Sequence, residues 1–153
     1  MSDSLAILIG DTSRLLRRRF DARARSLGVS RAQWQVLFAL SRNEGINQAG
    51  LAEALDVETI TVGRMVDRLA DAGFVERRAD PADRRAWRLH LMPCAHPVLE
   101  ELRRVGDSVM QETLAGLGPD GEAELTELLT RVRSNLQQRE PAAPPTPLAA
   151  GAR

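Results

Sequence analysis

Up to Gly73 the apolar residues of this chain recur with the spacing of helices, and directly after it they alternate. That switch of period constrains the fold more than any other feature. The helical part closes with two segments, "QAGLAEAL" (48–55) and about Glu58 to Ala72, joined by the brief Asp56-Val57 turn. Two helices joined in this way have the helix-turn-helix layout. "FVERR" (74–78) and "AWRLHLM" (86–92) then read as the strands of a hairpin around the turn-forming Asp80-Pro81-Ala82-Asp83. A helix-turn-helix followed at once by a hairpin is a winged helix. The expected fold class is therefore mainly α with a small β-hairpin wing, flanked by long helices.

The flanking helices are legible by the same periodicity. From Leu5 to Leu27 the apolar positions Leu8, Ile9, Leu15, Leu16, Phe20 and Ala24 sustain about six turns, and Gly28 ends them. A helix this long at the start of the chain has little local sequence to pack against, so its partner lies in the C-terminal half or in a second subunit. Ser30 and Gln33 form a capping box for a helix over about Arg31 to Arg42, and Asn47 caps the next. Beyond Pro93 a helix is expected from about Cys94 to Leu114, and after "GLGPDG" another from Pro119 to about Gln138. Met92 has no side-chain oxygen to cap the first of these, and Pro97 sits early within it. The Pro- and Ala-rich stretch 139–153 carries no core-forming pattern and reads as disordered.

Composition bounds the function more weakly. At 153 residues, 43% apolar and 27% charged, the chain fits one ordinary folded domain, or one domain with an extra arm. Its formal net charge is zero, which argues neither for nor against a nucleic-acid partner. The single cysteine, Cys94, excludes an intramolecular disulfide, and the N-terminal "MSDSLAILIG" lacks the basic region and cleavage site of a signal peptide. These features fit a soluble protein of the cytoplasm.

Charge is segregated, however. Arg64, Arg68, Arg77, Arg78, Arg84, Arg85 and Arg88 fall on the winged-helix segment, whereas the C-terminal half is rich in glutamate. On a helical wheel, Val62, Val66 and Leu69 share one face of the fourth helix, Thr61, Arg64 and Arg68 lie broadly opposite, and Met65 is at the edge. Short polar and arginine side chains on an exposed helix suit readout of base edges in the major groove. The competing reading is a solvated face in which Arg64, Asp67, Arg68 and Asp71 pair along the helix. In the hairpin, Arg84 and Arg85 follow the turn, where they suit a narrow, electronegative minor groove. Asp80 and Asp83 are expected to initiate the turn and to orient Arg64, Arg84 or Arg85.

With these residues in view, the sequence resembles the MarR/SlyA family of bacterial winged-helix transcription regulators. The resemblance is carried by "LGVSRAQWQVL" (27–37) and "GINQAGLAEALDVETITVGRMVDRLADAGFVERRADPADRRAWRLHL" (45–91), and spans about residues 5 to 138. It implies a homodimer on a pseudo-palindromic operator, with residues 5–27 and 94–138 as dimerisation helices and 31–92 as the DNA-binding lobe. Carried over by position, Thr61, Arg64 and Arg68, with Thr59 and Met65 beside them, are recognition-helix contacts. Arg85 is the minor-groove arginine, Arg84 stands next to it, and Asp83 positions the wing. The family's small phenolic or aromatic carboxylate effectors imply a pocket, onto which Arg14, Arg17, Trp34 and Phe38 map. Trp34, Leu37 and Phe38 at helical spacing also fit plain core.

Two other classes compete with a DNA-binding regulator. His90, Cys94 and His96 are the only metal-or-nucleophile cluster, and without a second pair of ligands they fit two surface histidines and a small buried thiol better than a zinc site. No phosphate loop or catalytic triad is visible, so neither an enzyme nor a cofactor is expected. A winged helix that binds protein instead of DNA is the remaining alternative.

Overall fold

A computed structural model describes residues 2–83 and 86–138, so Arg84, Arg85 and the stretch 139–153, with the disorder expected there, lie outside the described residues. The described residues form α1 (Ser2–Ser26), α2 (Arg31–Arg42), α3 (Gln48–Leu55), α4 (Thr59–Asp71), β1 (Val75–Ala79), β2 (Trp87–Leu91), α5 (Ala95–Thr113) and α6 (Gly118–Gln138). They divide into two bodies, one up to Thr113 and one from Leu114 on.

Local chemistry sets the boundaries. At α2 the Ser30 hydroxyl accepts from the Gln33 amide, and the Gln33 side chain accepts from the Ser30 amide at 2.9 Å, which completes the expected capping box. Asn47 Oδ1 accepts from the Gly50 amide at 2.8 Å and starts α3. Asp56 closes α3 in the left-handed region, with φ of 53°, a conformation that short polar side chains tolerate better than branched ones. That residue sets the sharp turn into α4. At the other end of α4, Gly73 has φ of 76° and frees the chain to enter β1.

α5 starts one residue later than expected, at Ala95. A backbone turn replaces the missing side-chain cap: the Met92 carbonyl accepts from the Ala95 amide at 2.9 Å, and the Pro93 carbonyl accepts from the His96 amide at 3.3 Å. Pro97 is the third residue of α5, where no amide donor is needed.

One core joins the elements of the first body. Val36, Leu37 and Leu40 of α2, Leu51 of α3, and Val62, Val66 and Leu69 of α4 are buried together, and Ala95, Leu99 and Leu102 of α5 close them from the far side. The strands pair antiparallel, Val75 with Leu91 and Arg77 with Leu89, and their alternation turns Val75, Leu89 and Leu91 into the same core. The loop before α3 adds a rung to the other edge of β2: Leu89 accepts from the Gly45 amide at 2.9 Å and donates to the Ile46 carbonyl at 3.0 Å. The wing strands are thus hydrogen-bonded to the segment that begins the helix-turn-helix.

α1 is fastened to this core by a buried carboxylate. Asp21, 5% exposed, accepts from Trp34 Nε1 at 2.9 Å and from Arg31 Nε at 2.7 Å. Phe20, Trp34 and Phe38 pack around it, with Phe20 and Trp34 edge to face at 4.8 Å. Arg23 extends the attachment to α5 through Glu112 at 2.7 Å and Ser108 at 3.1 Å. Beyond these contacts α1 leaves Leu5, Ile7, Leu8 and Ile9 exposed. In the second body, α6 carries Leu125, Leu128, Leu129, Val132 and Leu136 at one-face spacing, and all five are exposed.

Burial pushes the Asp21 carboxyl up, but hydrogen bonds from Arg31 and Trp34 and the charges of Arg31 and Arg25 outweigh it and hold it below its ordinary value. A carboxylate with a lowered folded value stabilises the fold above its unfolded pKa, and that stability disappears as pH falls through the folded value. Asp21→Asn is expected to lower unfolding free energy by about 1–3 kcal/mol at neutral pH. In urea titrations at stepped pH, the gap between variant and parent should narrow below about pH 4. A gap that stays constant down to the acid limit would show that the carboxylate charge is not what holds α1.

Candidate functional site

The face of α4 that the core does not use is the most distinctive surface of the first body. With Val62, Val66 and Leu69 buried, Thr59, Thr61, Arg64 and Arg68 are all exposed, as the wheel requires. Met65, expected at the edge of that face, is half-buried and packs against the core. Ile60, absent from the residues expected on this face, is 63% exposed there. The signal for it was present: it lies two residues before Val62, on the opposite side of the helix.

The first turn of α4 is held by its neighbour in the motif. Gln48 at the start of α3 donates from Nε2 to the Thr59 carbonyl at 3.1 Å. Gly63 permits this approach, since a Cβ there would stand 3.0 Å from the same nitrogen. The ion pairs weighed along α4 are replaced by one across elements, in which Arg77 of β1 donates to Asp67 at 2.6 Å. Among the described residues Arg64 and Arg68 have no carboxylate partner, so both guanidiniums are available to a ligand.

Of the roles expected for Asp80 and Asp83, any bond to Arg84 or Arg85 lies outside the described residues, while Asp80 initiates the turn and meets Arg88 rather than Arg64. Asp80 accepts from the Ala82 amide at 2.9 Å and from Arg88 Nε at 2.8 Å. Arg88 in turn donates from Nη1 to the Gly45 carbonyl at 3.1 Å. One arginine therefore clasps the turn to the loop that precedes α3. The pairing was hidden in the sequence because Arg88 is eight residues from Asp80 and meets it only when the hairpin closes. Asp83 accepts through its carbonyl from the Ala86 amide at 3.0 Å, at the base of the turn.

The remaining candidate residues are not gathered into one site. Arg14 pairs with Asp11 at 2.9 Å on the outside of α1, and Arg17 is exposed. Trp34 and Phe38 belong to the packed aromatic cluster, and the Trp34 indole proton is already used by Asp21. A hollow of about 320 Å³ does lie along α1 and α5, but it is lined by Thr12, Leu15, Leu16, Arg19, Glu112 and Thr113, and by none of those four. Cys94 is exposed rather than buried, with Sγ 2.9 Å from the Gly73 carbonyl, and His90 is half-buried beside Glu44 at 3.6 Å. Among the described residues no group of His, Cys, Asp and Glu is placed to hold a metal ion.

Known proteins share this arrangement. A family model described as MarR family matches residues 27–86, which run from the start of α2 into the wing. A crystal structure of the transcriptional regulator PA3341 is 34% identical, covers 88% of this chain and 99% of its own, and superposes with a TM-score of 0.77. The chain belongs to the MarR family. Wild-type MarR from E. coli, in its apo form, is 29% identical over 84% of this chain and 96% of its own, with a TM-score of 0.76. A mutant E. coli MarR complexed with operator DNA is 29% identical, covers 84% of this chain and 93% of its own, and gives a TM-score of 0.73. MarR-family proteins are DNA-binding transcriptional regulators and not enzymes. No helix among the described residues is long and apolar enough to cross a membrane.

The clasp makes a prediction of its own. The Ala82 amide first, with Arg88 beside it, holds the Asp80 carboxyl below the usual carboxylate range. Asp80→Ala removes the acceptor of the Ala82 amide, and hydrogen exchange there should accelerate about tenfold while amides of α4 keep their protection. In the parent chain the same amide should lose protection only as pH falls through the lowered Asp80 value. Unchanged exchange at Ala82 in the variant would mean that the turn holds without the clasp.

Proposed function

We propose that this MarR-family chain is a sequence-specific regulator of transcription that binds double-stranded DNA as a homodimer, acting as a repressor on a pseudo-palindromic operator in the cytoplasm. The observation that carries the reading is the outward face of α4, where Arg64 and Arg68 have no carboxylate partner among the described residues, beside a wing clasped to the same lobe. Thr59, Thr61, Arg64 and Arg68 address base edges in the major groove, and Met65 supports them from the core side. Arg85, with Arg84 beside it and Asp83 at the base of the turn, takes the adjacent minor groove. Residues 31–92 make up this DNA-binding lobe.

The homodimer rests on apolar surface. α1 exposes Leu5, Leu8 and Ile9, and α6 exposes a five-residue apolar stripe, more than a lone protomer leaves in water without function. Residues 5–27 and 94–138 are accordingly assigned to dimerisation. A twofold protein presents two recognition helices, hence an inverted repeat, and a dimer seated on a promoter blocks polymerase there. Release by a small aromatic carboxylate belongs to the same proposal. Its support is the hollow along α1 and α5, where Leu15 and Leu16 offer apolar walls and Arg19 a cation, and not the expected set of Arg14, Arg17, Trp34 and Phe38.

Selection of genomic fragments with the purified chain is expected to recover a short inverted repeat, bound with an affinity that falls steeply as salt rises. Arg64→Ala should weaken binding to the selected site by about 1–3 kcal/mol and relax the preference at one position per half-site. Arg85→Ala should weaken it more than Arg133→Ala, a control in α6. Flat salt dependence with no enriched sequence would instead favour a winged helix that binds protein.

A further inference from the structure

We propose that Ile60 is a specificity-determining residue that reads the 5-methyl group of a thymine in the major groove; this rests on the DNA-binding reading above. Between Arg31 and Ala79, Ile60 is the only large apolar side chain that is exposed among the described residues, at 63%. The other exposed apolar side chains cluster mainly on α1 and α6, where a dimer interface accounts for them. Ile60 is far from both in sequence and stands on the helix that carries the polar reading face.

Its placement on that face is central. At 3.6 residues per turn Ile60 and Arg64 are about 40° apart around the α4 axis and about 6 Å apart along it. Thr61 flanks Arg64 on the other side. Val62, which is fully buried, lies about 160° from Ile60, so the isoleucine projects almost directly away from the core. The Gln48 contact to the Thr59 carbonyl fixes the turn on which it stands, so its direction is set before any DNA is met.

The chemistry of the side chain then selects the target. An isoleucine can neither neutralise a phosphate nor hydrogen-bond a base. Of the groups that the four base pairs display in the major groove, the thymine 5-methyl is the apolar one. The N-terminal residues of a recognition helix are those that reach base edges, and Ile60 is the second residue of α4. Contact with a thymine methyl removes both apolar surfaces from water; contact with cytosine or a purine at that position leaves the isoleucine against polar edges.

The experiment uses the full chain and its own selected DNA, with each thymine replaced in turn by deoxyuridine, which lacks only the methyl group. One thymine per half-site should show about fourfold weaker binding for each copy bound, the equivalent of one methyl group left unburied. Ile60→Ala should bind both DNAs alike at that position, and Ile60→Val should restore the preference for thymine. The slope of affinity against salt should be the same for all three proteins, because no phosphate contact is touched. If every thymine tolerates the replacement, or if Ile60→Ala keeps the full discrimination, the assignment of Ile60 is wrong while the DNA-binding reading stands. If no DNA is bound selectively, both are wrong.

Discussion

Burial of Val62, Val66 and Leu69 against α2 and α3 fixes the rotation of α4, and the rest of the lobe depends on that rotation. Each of these side chains is fully withdrawn from water, which is worth about 1.5–3 kcal/mol apiece. Turning the helix by one residue would expose them and carry charged or polar neighbours inward, a change of many kcal/mol in a fold whose net stability is only about 5–15. Ile60, Thr61, Arg64 and Arg68 therefore face outward because their neighbours must face inward. The proposed recognition surface is the complement of the core.

That surface is useful only if the wing keeps a fixed relation to it. Three links supply this: Arg77 to Asp67 joins β1 to α4, Arg88 joins the turn at Asp80 to the Gly45 carbonyl, and Leu89 exchanges backbone bonds with Gly45 and Ile46. The ion pairs are exposed and individually weak, so the backbone rung and the buried Leu89 and Leu91 give most of the rigidity. On the far side of the lobe, Asp21 binds α1 to Arg31 and Trp34 of α2. A displacement of α1 by an effector or a partner protomer would thus be transmitted to the helix on which α4 packs.

Most of the architecture was legible in the sequence because it is governed by local chemistry. The Ser30–Gln33 box, the Asn47 cap, Gly73 and the alternation after it all act within a few residues, and the structure bears them out. The outward Thr61, Arg64 and Arg68 followed from the helical period. What stayed hidden depends on contacts between residues distant along the chain. The bond from Arg88 to Asp80 was one of these, because only hairpin closure brings the two together. Cys94 was expected inside, but the backbone turn from Met92 to Ala95 leaves it at the surface. Ile60 is a different case, since its place opposite Val62 follows from the helical period alone.

In the proposed complex α4 occupies a major groove while the wing occupies the minor groove next to it. Methylation interference on the selected DNA tests both in one assay, since dimethyl sulfate marks guanine N7 in the major groove and adenine N3 in the minor groove. Bound molecules should be depleted of N7-methylated guanines within each half-site and of N3-methylated adenines just outside it. Depletion at neither, with binding sensitive only to phosphate modification, would contradict that arrangement.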